Sequence, residues 1–104
     1  MRPALALATD QTRIFNLSVS EPGSQIFVPG DPLGYHQSTH EEPIDEKLGY
    51  QPKATFFIER SMETFASLLK MMDAVKEGGG TLLDNSLVLA TSESNFAKIH
   101  SVDN

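Results

Sequence analysis

Residues 53–90 read KATFFIERSMETFASLLKMMDAVKEGGGTLLDNSLVLA, and two different periodicities meet inside that stretch. Up to the glycines, Ile58, Met62, Phe65, Leu69 and Met72 recur at four- and three-residue steps, with Phe57, Ala66, Leu68 and Val75 widening the stripe. That is the spacing of one face of an α-helix. Glu59, Arg60, Glu63, Lys70 and Asp73 fall mostly on the opposite face. The spacing predicts one helix over Lys53–Lys76, closing by residue 77, of about six turns. Pro52 stands at its start, where a missing N–H costs nothing, and Gly78–Gly80 supply the left-handed conformation of a C-terminal cap. Past the glycines the pattern changes to the apolar run Leu87–Ala90. Asp84-Asn85-Ser86 makes the turn before it, so residues 86–92 read as a buried strand.

Upstream, Phe15, Leu17 and Val19 alternate with Asn16, Ser18 and Ser20, which predicts a half-buried strand over Thr12–Ser20. Ala4–Ala8 with Asp10 suggests a short helix end before it. Between that strand and the helix lies a segment of different composition, residues 21–52. It holds five of the six prolines and four of the seven glycines, with turn signals at Pro22-Gly23 and at Pro29-Gly30-Asp31-Pro32. Gln25–Val28 has the composition of a short additional strand. A loop of about 30 residues is uncommon in a compact domain, and is usually functional, disordered or completed by a partner. The order strand, long loop, helix, strand predicts a single α/β domain over residues 1–104, a βαβ-like unit with a right-handed crossover. Two strands leave sheet edges open, so a homo-oligomer or a piece of something larger is expected.

Composition excludes several functions. Net charge is −6 and the eight basic residues are scattered, which argues against nucleic acid and anionic membranes as partners. With no cysteine there is no disulfide, no thiolate catalysis and no cysteine-based zinc site. The run Ala4–Ala8 is too short for the hydrophobic region of a signal peptide or for a membrane span, so the chain reads as soluble. No glycine loop precedes a helix in the manner of a phosphate cradle, and no serine sits in a G-x-S-x-G setting.

The residues with chemical potential are few. YHQSTHEEP, residues 35–43, holds His36 and His40 four apart, followed by Glu41 and Glu42. Imidazole and carboxylate suit zinc, iron or manganese, and a four-residue spacing converges on one ion when the segment is helical. Gly34 and Pro43 argue instead for a loop, where the histidines would simply be solvated. Thr91–Asn95 follows the second expected strand, with Glu93 in it and His100 beyond. Functional groups gather at the carboxyl ends of parallel strands, so His36, His40, Glu93 and His100 are candidate ligands for a divalent metal such as zinc. Glu41 is a candidate ligand or catalytic base. The plain alternative is that Ser92–Asn95 caps the strand and His100 belongs to a frayed terminus. Met62, Met71 and Met72 read as core rather than as a cofactor-binding surface.

Taken together, ALATDQTRIFNLSVSE, the histidine loop, and the helix followed by GGGTLLDNSLVLATSE resemble the C-terminal part of a bacterial family of uncharacterised proteins. That family is named for an H-x-x-S-H-H motif, and TLLDNSLVL is the most specific part of the likeness. The family is usually exported through the twin-arginine route and is related in fold to the alkaline phosphatase and sulfatase superfamily. Laid on the motif, this chain has His36 and His40, but Thr39 replaces the serine and Glu41 the last histidine. The resemblance implies a segment of an alkaline-phosphatase-like domain without the upstream nucleophile and further ligands. It leaves three expectations. The first is a domain of unknown function, inactive alone, that retains remnants of a metal-binding or hydrolase-type site. The second is a metal-dependent phosphate or sulfate ester hydrolase completed by oligomerisation, and the third a self-associating structural module.

Overall fold

A computed structural model describes residues 2–21 and 23–102, so Pro22 of the first expected turn lies outside the described residues. In chain order the elements are α1 (Arg2–Ala8), α2 (Tyr35–Glu41), α3 (Pro52–Ala74), β1 (Lys76–Glu77), β2 (Gly80–Thr81) and a 3-10 turn, Ala97–Ile99. The chain is therefore mixed α and β. It divides into two compact units, Met1–Val19 with Met62–Ala90, and Ser20–Ser61 with Thr91–Asn104, so that α3 contributes its two halves to different units.

The first unit is built on the C-terminal half of α3. Leu68 and Met72, one turn apart, are buried against Leu82, and Leu7, Phe15, Val75, Leu83 and Val88 pack around them. The three glycines reverse the chain so that Leu82 can return to the helix. They do so as a hairpin turn, and not as the expected helix cap. β1 and β2 pair antiparallel, Lys76 opposite Thr81 and Glu77 opposite Gly80. Gly78 takes φ +58, the left-handed value that the first central position of a II′ hairpin requires. Directly after it, Thr81 and Asp84 cap each other. The carboxylate of Asp84 accepts the Thr81 amide at 2.8 Å and its hydroxyl at 3.0 Å, while the Asp84 amide donates to Thr81 Oγ1 at 3.2 Å. TLLDNS is thus a self-satisfied turn, closed by the Asn85 amide on the Thr81 carbonyl at 3.3 Å.

The expected βαβ unit does not form. Among the described residues, neither Thr12–Ser20 nor residues 86–92 belong to a strand, and the sheet consists of the antiparallel hairpin alone. Each segment sends one side chain to the core, Phe15 and Val88, and leaves the rest outside: Ile14 is 86% exposed, Leu89 83% and Leu87 wholly so. A strand needs a neighbouring ladder to take its backbone hydrogen bonds, and among the described residues the one sheet includes neither segment.

In α3 the buried line is Ala54, Phe57, Leu68 and Met72, with Ser61 and Phe65 half-buried between them. Ile58 and Met62, read as members of the stripe, are exposed. Phe56, Phe57 and Ile58 are consecutive, so periodicity alone is ambiguous there. Phe57 is selected because it stacks on Tyr35, ring centroids 4.9 Å apart. The helix closes at Ala74, two residues short of the expected Lys76, which β1 claims.

The second unit contains the expected loop of residues 21–52, and that loop holds the helix α2. Its first two amides are satisfied by the chain before it, Tyr35 N–H donating to the Ile26 carbonyl at 2.7 Å and His36 N–H to that of Ser24 at 3.1 Å. Gln25–Val28 is therefore a docking edge for α2 and not a strand. Gly34 packs closely on Gln25 at this approach: a Cβ there would stand 3.3 Å from the Gln25 side-chain oxygen and in ordinary contact with its Cα at 3.4 Å.

Candidate functional site

The two helices of the second unit cap each other. The Gln51 side-chain amide, immediately before α3, donates to the carbonyls of Thr39 at 2.9 Å and Glu42 at 2.8 Å, satisfying the end of α2. In return the Glu42 carboxylate accepts the first free amides of α3, from Lys53 at 2.8 Å and Ala54 at 3.0 Å. Pro52, which has no N–H, needs no partner. The Lys98 ammonium joins the same junction and donates to the carbonyls of His40 at 2.7 Å and Glu42 at 2.9 Å. Glu42, adjacent to a candidate motif in the sequence, is a helix cap.

On this frame α2 presents His36 and His40 one turn apart, ring centroids 4.8 Å apart and nearly perpendicular. The expected loop conformation for these residues is corrected by the helix: Gly34 and Pro43 bound a helical segment instead of preventing one. His100 arrives from the other end of the second unit. Its ring centroid lies 4.7 Å from that of His40 and 6.4 Å from that of His36. It follows the 3-10 turn in a left-handed conformation, φ +54, which costs a non-glycine residue about 1 kcal/mol or more. A two-residue bridge holds it there, the Ser101 amide donating to the Phe96 carbonyl at 3.1 Å.

The hydrogen bonds set the proton positions. His40 Nδ1 lies 3.1 Å from the Lys98 carbonyl oxygen, which can only accept, so Nδ1 carries the proton. Neutral His40 then offers a bare lone pair at Nε2, and His100 Nε2 stands 3.1 Å from it. Two arrangements satisfy that spacing. His100 donates Nε2–H to His40, or both nitrogens present lone pairs to one cation. Tetrahedral zinc, with Zn–N bonds near 2.0–2.1 Å, holds neighbouring nitrogens about 3.3 Å apart. A histidine whose other nitrogen donates to a backbone carbonyl is the usual condition of a metal ligand.

The other candidates are placed differently. Glu41 is exposed and accepts a hydrogen bond from Gln37 at 2.9 Å. Glu93 is exposed and, among the described residues, makes no hydrogen bond or ion pair with the histidines. Thr39, at the motif position of the serine, is buried and donates to the His36 carbonyl at 2.7 Å, and Ser38 is buried beside it. Among the described residues no three histidine, aspartate or glutamate side chains stand in a metal-binding arrangement as they are. His40 Nε2 and His100 Nε2 stand 3.1 Å apart, and the His36 ring centroid lies 4.8 Å from that of His40 and 6.4 Å from that of His100. Lys98 escaped the sequence reading, because its role depends on contacts 56 and 58 residues away and has no local signature.

A separate apolar cleft of about 280 Å³ lies between Val28, Leu33, Pro52, Phe56 and Phe57, with the Asp31–Lys53 ion pair at its edge. It is at the small end for a ligand cavity and contains no convergent catalytic groups. No helix among the described residues is long and apolar enough to cross a membrane. The chain matches no family model, and no curated protein or solved structure is significantly similar to it.

Proposed function

We propose that the chain binds a divalent transition metal, zinc by its donor set, through His36, His40 and His100. In this reading it retains the metal-binding part of the site implied by its resemblance to the H-x-x-S-H-H family and is not a hydrolase by itself. The observation that carries the proposal is the pairing of His40 Nε2 with His100 Nε2 at 3.1 Å, across 60 residues of chain, with the His40 tautomer set for ligation. Binding is favoured over catalysis because the hydroxyls of α2 itself, Ser38 and Thr39, are buried, and that of Thr39 is held on the His36 carbonyl. Elemental analysis after zinc saturation and dialysis tests the reading. One zinc per chain is expected, lost in His36→Ala/His40→Ala. A metal-free wild-type protein refutes it.

Self-association is a second reading, favoured by the apolar residues 87–90, which among the described residues join no strand and leave Leu87 and Leu89 exposed. An ester hydrolase completed across such an oligomer, with Glu41 as base or ligand and Glu93 as a further ligand, belongs to this reading. It requires the second copy to complete the ligand set of the site.

A further inference from the structure

Among the described residues, each side-chain hydrogen bond that ties Ala97–His100 to a distant part of the second unit lands on the last turn of α2 or on Glu42 just after it. Lys98 Nζ donates to the carbonyls of His40 and Glu42, the Lys98 carbonyl accepts from His40 Nδ1, and His100 Nε2 meets His40 Nε2. The other bonds of that turn are local, from Ile99 N to the Phe96 carbonyl and from His100 N to that of Ala97. The prospective ligands are divided in the same way, His36 and His40 on α2 and His100 on the turn.

We infer that the metal acts as a clasp, its occupancy controlling whether the C-terminal turn, Phe96–Ser101, is docked on α2. This rests on the proposed metal site, because the ion is what spans the two segments. Without metal the docked turn relies on the Lys98 ammonium, the His40 Nδ1–H bond to the Lys98 carbonyl and a single imidazole–imidazole bond, and it carries the left-handed strain at His100. With metal, His100 and His40 become ligands of one centre, and release of the turn requires loss of a ligand. An ion that binds only the docked form multiplies the ratio of docked to undocked turn by one plus the free zinc concentration over Kd, about a hundredfold at one hundred times Kd. The predicted behaviour is that of a metal-responsive segment, with Lys98 as the positioning residue that keeps His40 in the ligating tautomer.

Hydrogen exchange on the full chain with and without zinc tests this, with binding followed in parallel by calorimetry. The expected result is zinc binding with exchange at the Ile99, His100 and Ser101 amides slowed by about tenfold or more, a slowing absent in His100→Ala. Lys98→Met keeps the carbonyl that accepts from His40 Nδ1 but removes the ammonium that anchors it to α2, so it is expected to weaken zinc binding by about tenfold, with affinity restored in Lys98→Arg. Zinc binding with unchanged exchange at these amides overturns the clasp and leaves the metal site standing. Absence of zinc binding overturns both.

Discussion

At the scale of single residues, Glu42 and Met72 show how differently two side chains support the chain. Met72 is 1% exposed and forms the centre of the first unit's core with Leu68 and Leu82. Met72→Ala removes that contact and leaves a cavity, so a loss of about 2–5 kcal/mol is expected in urea denaturation. Glu42 acts through charge and hydrogen bonding at the start of α3, and Glu42→Ala is expected to cost about 1 kcal/mol while also loosening α2. Asp31 gives a pH signature. Hydrogen bonding to Lys53 and to the Leu33 amide holds its carboxyl below the ordinary value of 3.8. A carboxyl lowered by folding stabilises the protein fully above its unfolded pKa, where both states are ionised, and below that value the unfolded state takes up protons that the native state refuses. That contribution disappears as pH falls through the lower native value. The stability difference between wild type and Asp31→Asn should therefore narrow between about pH 5 and about pH 2 in urea midpoints. A constant difference would remove the ion pair from the account.

At the scale of elements, the hairpin and the mutual helix caps carry the architecture. A Cβ at Gly80 would stand 2.8 Å from Asp84 Oδ2, and that oxygen is already committed to the Thr81 amide and hydroxyl. Gly80→Ala is expected to displace the Asp84 carboxylate and break the reciprocal cap. The cost should be about 1–2 kcal/mol in thermal unfolding, and smaller when combined with Asp84→Ala, where the clash is gone. Much of this was legible beforehand. The helix over α3, the turn at Asp84-Asn85-Ser86 and the left-handed glycine all follow from local chemistry. The details that failed depended on neighbours. The glycines read as a helix cap because a cap and a II′ hairpin ask for the same φ at the first glycine, and only the pairing of Lys76 with Thr81 distinguishes them. The helix α2 was hidden because seven residues of ordinary helix propensity do not hold a helix alone. It stands because Ser24, Ile26, Gln51 and Lys98 satisfy its ends.

For the whole molecule, the segments that read as strands matter most. Residues 14–19 and 87–90 have strand composition but, among the described residues, belong to no strand, and Leu87 is completely exposed. If the chain self-associates through the second of these, Leu87→Lys/Leu89→Lys should leave it monomeric in light scattering at concentrations where the wild type associates. Unchanged folding by far-ultraviolet circular dichroism is expected, since neither side chain enters the core. A wild-type chain that stays monomeric at high concentration removes that second reading. The amino-acid order alone was enough to specify a long amphipathic helix, a glycine reversal, a polar turn and two histidines at helical spacing, because each rests on interactions spanning a few residues. It could not specify which face of α3 is buried, whether the alternating segments find a ladder, or that His100 joins His40. Those outcomes depend on which backbone groups and rings meet across distant stretches of chain, and such pairings leave no periodic trace in the sequence.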